Sequence, residues 1–156
     1  ILAEFQDQFR IGEIKLITNF GPDVWIKADQ LHLGEVFNNL IKNALEAMES
    51  GGKMDLTLST TRKSATITIK DTGVGIPNKL LPHIFEPFYT TKNSRHNFGL
   101  GLLYCYKVIK KHGGTIEVKS KPNQGTTFYL NLPRYSKKSF KMTRGASNVQ
   151  NKSISG

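Results

Sequence analysis

Two stretches, Met54 to Ser59 and Ala65 to Lys70, alternate apolar and polar residues strictly on either side of Thr61-Arg62-Lys63-Ser64. A period of two around a short polar turn predicts an antiparallel hairpin with one wet face and one dry face. The dry face needs a cover, and one is written just upstream. From about Leu31 to Met48, the residues Leu33, Val36, Phe37, Leu40, Ile41, Ala44, Leu45 and Met48 fall on one half of a helix. Asp29 stands in the N-cap position, and Ser50-Gly51-Gly52 is a glycine stop. The chain is therefore committed to laying a helix on a sheet.

The remaining elements extend that plan. Ile1 to Phe9 reads as an opening in mid-helix, so the chain is expected to be a piece of a longer protein. Ile11 to Phe20 has a strand pattern, Gly21-Pro22-Asp23 turns, and Val24-Trp25-Ile26-Lys27 reads as a second short strand. Near the end, Thr115 to Ser120 and Thr126 to Leu132 alternate around Lys121-Pro122-Asn123-Gln124-Gly125, and Pro133 closes the sheet. A second amphipathic helix carries Leu102, Leu103, Tyr106, Val108 and Ile109 and ends at His112-Gly113-Gly114, where His112 reads as a helix-terminal residue and not a ligand. Two striped helices and about six strands, mostly in hairpins, predict a two-layer α/β sandwich: a mixed, mostly antiparallel sheet with helices on one face.

Four places carry chemistry. Asn39 and Asn43 lie one turn apart at the edge of the apolar stripe, with Glu35 and Glu46 on the same polar side. The pair suits either a solvated face or a site for Mg²⁺, a hard cation that accepts an amide oxygen and takes its other ligands from water and phosphates. Asp71-Thr72-Gly73-Val74-Gly75 ends a strand in an acid and two spaced glycines, which fits an ordinary turn or a close backbone approach to a ligand. Asn78 to Phe98 has little regular pattern, and a connection that long suggests a lid; within it, Lys92 is either a phosphate contact or a solvated loop lysine. Gly99-Leu100-Gly101-Leu102 then opens the second helix, where exposed amides and the positive end of the dipole suit a polyphosphate.

Composition narrows the class. Cys105 is alone, so no disulfide forms within the chain, and no Cys/His spacing suits zinc. No apolar run approaches the roughly 20 residues of a membrane span, and the N-terminus lacks a signal-peptide pattern, so a cytoplasmic domain is expected, with any membrane anchor upstream. The net charge of +10 sits largely in residues 134–156, which hold six basic residues and no acid. Residues 1–133 keep 16 basic and 12 acidic residues, a mild +4. We expect a folded domain over 1–133, a disordered basic tail over 134–156, and no nucleic-acid partner.

Taken in order, the motifs resemble those of the catalytic ATP-binding domain of a sensor histidine kinase, in the superfamily shared by gyrase, MutL and the large heat-shock chaperone (the Bergerat-type fold). Asn39-x-x-x-Asn43-Ala44 matches the N box, Asp71-x-Gly73-x-Gly75 the first glycine box, Phe85-Glu86-Pro87-Phe88 the F box, and Gly99-Leu100-Gly101-Leu102 the second glycine box. The resemblance covers roughly residues 1–133. It implies that Asn43 ligates Mg²⁺ on ATP with Asn39 in support, and that Asp71 accepts from the adenine amino group beside Gly73 and Gly75. It further implies that Thr126 joins the adenine's water network, and that Lys92 and the amides of Gly99, Leu100, Gly101 and Leu102 hold the phosphates. ATPases of the superfamily carry a glutamate where this chain has Asn39, and an amide cannot take a proton from water. The implied reaction is phosphoryl transfer to a histidine imidazole; Glu35, one turn before Asn39, is either a base or orienting group for it or a solvated helix glutamate. None of His32, His83, His96 and His112 has an acceptor's His-Glu pair, so the phosphoacceptor and dimerisation domain is expected upstream, with a response regulator downstream. Asn97-Phe98 stands where such kinases often carry Gly-Thr. A stand-alone serine kinase that binds a sigma factor, or a superfamily ATPase, is the competing expectation.

Overall fold

The computed structural model describes residues 1–87 and 99–135. A 3₁₀ turn (Leu2–Phe5) leads into α1 (Gln6–Ile11), followed by β1 (Ile14–Phe20), α2 (Gln30–Ala47), β2 (Gly52–Thr60), β3 (Ser64–Asp71), a second 3₁₀ turn (Leu81–His83), α3 (Gly101–Lys111), β4 (Thr115–Lys121) and β5 (Gly125–Pro133). The strands form one sheet in the order β1-β2-β3-β5-β4. β1 and β2 are parallel, joined by the crossover through α2 that such a pair requires; every other pairing is antiparallel. This is the expected mixed, mostly antiparallel sheet.

The alternation places the core. Met54 and Leu56 from β2, Ala65 and Ile69 from β3, Ile116 from β4, and Phe128, Leu130 and Leu132 from β5 are buried. Against them pack Leu33, Val36, Leu40, Ile41 and Ala44 of α2 and Cys105, Val108 and Ile109 of α3, forming one hydrophobic cluster. Burying a side chain of this kind contributes roughly 1.5–3 kcal/mol, so the layer contact is the main stabilising term. Asp29 caps α2 as expected, its carboxylate accepting from Leu31 N (3.0 Å) and His32 N (3.1 Å). His112 does end α3: its Nδ1 meets the Val108 carbonyl at 2.7 Å while its Nε2 accepts the Asp29 amide at 2.9 Å. The C-terminus of α3 is thereby tied to the N-terminus of α2. No helix among the described residues is long and apolar enough to cross a membrane.

Two expectations are corrected. The sheet has five strands, not six: Val24 to Lys27 contributes only an isolated bridge from Ile26 to Arg134. Among the described residues only Arg134 and Tyr135 follow β5, and they meet this segment through that bridge and one hydrogen bond, from Tyr135 N to the Trp25 carbonyl. β1 starts at Ile14 because α1 holds the chain to Ile11 and Glu13, at φ 51°, turns it. Arg134 and Tyr135 are tied to the fold by hydrogen bonds from their backbone N–H groups to the carbonyls of Lys63 (2.8 Å) and Trp25 (2.6 Å).

Candidate functional site

Asp71 is the last residue of β3, and the period of two that buries Ala65 and Ile69 carries it to the dry face, where it is only 4% exposed. Because β5 runs antiparallel to β3, its first residues lie beside the end of β3. Asp71 Oδ1 accepts two amides, Gly73 N at 2.9 Å and Thr126 N at 3.1 Å. Burial pushes the carboxyl's pKa above its ordinary 3.8, and these two N–H donors pull against that shift. Both of these hydrogen bonds fall on Oδ1, and the N–H of Asp71 itself adds a smaller pull in the same direction. A buried carboxylate with one oxygen saturated and the other open is built to receive a donor from elsewhere.

The loop after Asp71 is docked onto the end of α2 by a hydrogen bond from Val74 N to the Ala47 carbonyl at 3.0 Å. Gly75 follows at φ 68°, and a β-carbon there would collide with the Lys121 carbonyl, so both its conformation and its contact require glycine. Ile76 N then donates to Ser120 Oγ at 2.7 Å. Ser120 and Thr126 face each other across the β4–β5 hairpin, with their hydroxyl oxygens 2.9 Å apart; Thr126 is 5% exposed.

From Ala47 the polar edge of α2 runs back through Asn43 to Asn39, about 12 Å of helix at 1.5 Å per residue. The two asparagines differ in what they do. Asn39 Nδ2 donates to the Glu35 carbonyl one turn earlier at 2.8 Å, and Gly101 packs against its Oδ1, where a β-carbon would stand only 2.9 Å away. Asn43 is half-buried and its amide meets no partner among the described residues. Glu35 is exposed on the same edge. Gly101 opens α3 and brings that helix's N-terminus to the asparagine edge; Leu100, partly exposed, precedes it without a side-chain cap, and Leu102 packs on the core. Gly99 turns the chain into the helix at φ 66°.

Asp71, Thr126, Gly73 and Gly75 are thus gathered at one end of the sheet, their loop is docked on the C-terminal end of α2, and α2 carries Asn43 and Asn39 back to the start of α3 at Gly101. Lys92, Phe88 and Asn97-Phe98 lie outside the described residues. Of the F-box aromatics, Phe85 packs against the core and against the Tyr106 ring, centroids 5.5 Å apart, as an anchor should. Cys105 is no nucleophile, since burial pushes its thiol up to about 12. Sequence reasoning missed Ser120. The available signal was its place on the buried period of β4, after Ile116 and Val118, where a polar residue needs a partner.

Comparison with known proteins places the chain. The family described as histidine kinase-, DNA gyrase B-, and HSP90-like ATPase matches residues 28–136. Sporulation kinase A of Bacillus subtilis (strain 168) is 40% identical over 135 residues, which is 86% of this chain and 22% of that protein. The catalytic domain of histidine kinase ThkA superposes with a TM-score of 0.76 at 31% identity, over 85% of this chain and 88% of that one. A ThkA chain in complex with the response regulator protein TrrA superposes with a TM-score of 0.71 at 27% identity, over 85% of this chain and 38% of that one. The chain thus spans only about a fifth of the sporulation kinase. It belongs to the histidine kinase-, gyrase B- and HSP90-like ATPase family, as an ATP-binding catalytic domain of the histidine-kinase type.

Proposed function

We propose that this domain binds Mg-ATP along the path from Asp71 to α3 and transfers the γ-phosphoryl group to a histidine on a phosphoacceptor and dimerisation domain of its own protein. The observation that carries the reading is Asp71, with Oδ1 saturated by two amides and Oδ2 left for the amino group of adenine. Thr126, Gly73 and Gly75 would flank the base. Asn43 would hold Mg²⁺ through its amide oxygen, and the ion would supply charge neutralisation on the phosphates it shares. A half-buried amide with no partner among the described residues fits that duty, and among those residues no cluster of His, Cys, Asp or Glu competes for a metal. The amides around Gly99 to Leu102, together with Lys92, would meet the phosphates.

Asn39 stands where a water-activating base would be needed for hydrolysis. Its amide accepts no proton, and it is held by the Glu35 carbonyl and by Gly101. That favours a histidine acceptor over water, with the exposed Glu35 placed to orient the incoming imidazole. The phosphohistidine would then serve a response regulator, the kind of partner seen with ThkA. We further place the domain in the cytoplasm, with any membrane anchor in segments outside this chain.

A phosphorus NMR time course with equimolar ATP and Mg²⁺ tests the reading. Perturbed resonances with the γ-phosphate intact over hours are expected. Steady release of phosphate would move the chain to the ATPases, and unperturbed ATP would remove the site.

A further inference from the structure

We propose that Ser120 is a specificity-determining positioning residue, which fixes the hydroxyl of Thr126 as an acceptor and so makes the sheet end of the groove select a 6-amino purine over a 6-oxo purine. The inference rests on the nucleotide reading above and deepens it.

The argument is an inventory of protons. A serine hydroxyl has one proton and two lone pairs. Ser120 Oγ has three neighbours: Ile76 N at 2.7 Å, the Gly125 carbonyl oxygen at 2.9 Å and Thr126 Oγ1 at 2.9 Å. The amide can only donate, so it takes one lone pair. The carbonyl can only accept, so it takes the proton. What is left on Ser120 is a lone pair, and Thr126 must donate to it. The Thr126 hydroxyl therefore turns only lone pairs away from Ser120. Its own backbone N–H is already spent on Asp71 Oδ1, as is that of Gly73. All five donors of this cluster are consumed internally, and what remains facing a ligand is Asp71 Oδ2 and the lone pairs of Thr126.

An end wall made only of acceptors welcomes the exocyclic amine of adenine, directly or across one water. It repels a carbonyl oxygen at the same position. A site whose polar groups are matched to a substrate's donors rejects the analogue that lacks them far more strongly than it rewards the match. Ser120 touches no part of the ligand in this scheme; it acts by denying Thr126 the freedom to turn its proton outward.

The test is the ratio of ATP to ITP affinity, measured by calorimetric titration on the full chain. ITP carries an oxygen where ATP carries the amino group. Wild type is expected to favour ATP at least 100-fold. Ser120→Ala should lower that ratio about tenfold by freeing Thr126 to donate, while a merely structural defect would weaken both ligands alike and leave the ratio in place. Ser120→Thr, which restores a hydroxyl, should restore the ratio. Adding Thr126→Val to Ser120→Ala should cancel the relaxation, since no hydroxyl remains to turn. Should Ser120→Ala not fold, Ser120→Cys keeps the volume with a much weaker donor and acceptor and reads the same quantity. A wild-type chain that ignores ATP overturns the proposed function and this inference with it. A chain that binds ATP but whose ratio is unmoved in the Ser120 variants overturns the inference alone.

Discussion

The sheet end of the proposed site and its helix edge are built in opposite ways. At the sheet end, Asp71, Thr126, Ser120 and the glycine loop bind one another through hydrogen bonds of 2.7–3.1 Å, so the polar atoms left over are few and fixed. At the helix edge, Asn43 has no partner among the described residues, and the helix that begins at Gly101 has no side-chain cap. Fixed, pre-spent donors suit a rigid planar group that must be told from its analogues. Open, uncommitted groups suit a charged, hydrated group that brings its own cation and changes shape as it reacts. On the proposed reading, one end selects and the other accommodates.

The largest test of that contrast is Asp71→Asn. The amide oxygen can keep both amide bonds, so the fold should persist with an unchanged or slightly higher melting temperature. The amide nitrogen, however, now offers a donor to a donor. ATP affinity should fall at least about 100-fold by calorimetric titration, the loss of a charge-assisted bond plus a mismatch. Near-normal affinity would mean that the sheet end does not select.

Asn43→Ala should act more gently and only with the cation present. About a tenfold loss of affinity is expected in Mg²⁺ and little change in EDTA, because one oxygen ligand among several is removed. A loss of equal size in EDTA would make the helix edge a direct nucleotide contact and blur the comparison.

The smallest effect is in pH. Burial raises the Asp71 carboxyl above 3.8, so the folded state holds its proton more tightly than the unfolded chain does. Ionised Asp71 therefore costs stability at neutral pH, and that cost is lost as pH falls through the folded pKa toward 3.8. Thermal melts of wild type and Asp71→Asn should differ most near neutrality and converge on acidification. A wild type more stable than Asp71→Asn near neutrality would show that the amide donors outweigh burial.

Much of this was legible in the residues. The alternation of Met54 to Lys70 and the stripe from Leu33 to Met48 reproduce β2, β3 and α2 almost to the residue, since periodicity reports burial directly. Asp29 was readable because an N-cap is a local interaction. Val24 to Lys27 misled because its apolar residues look like a strand whether or not a neighbour is there to pair with. Asn39 and Asn43 are identical in type, so nothing in the sequence says that one amide turns back to its own helix while the other stays open. The proton inventory around Ser120 depends on which strands become neighbours, and β5 meeting β3 is a fact of three dimensions.

That adjacency has a bearing on how such domains diversify. Asp71 and Thr126 are 55 positions apart in sequence yet share a hydrogen bond across neighbouring strands. Between them in sequence lie α3, packed on the sheet, and β4, which pairs with the far edge of β5. The entropy of closing such a connection grows only with the logarithm of its length, about 0.6 kcal/mol per doubling. A change in the length of that connection therefore costs little in closure entropy. Related chains can thus vary the length of that connection while keeping the Asp71–Thr126 pairing of β3 with β5 in place.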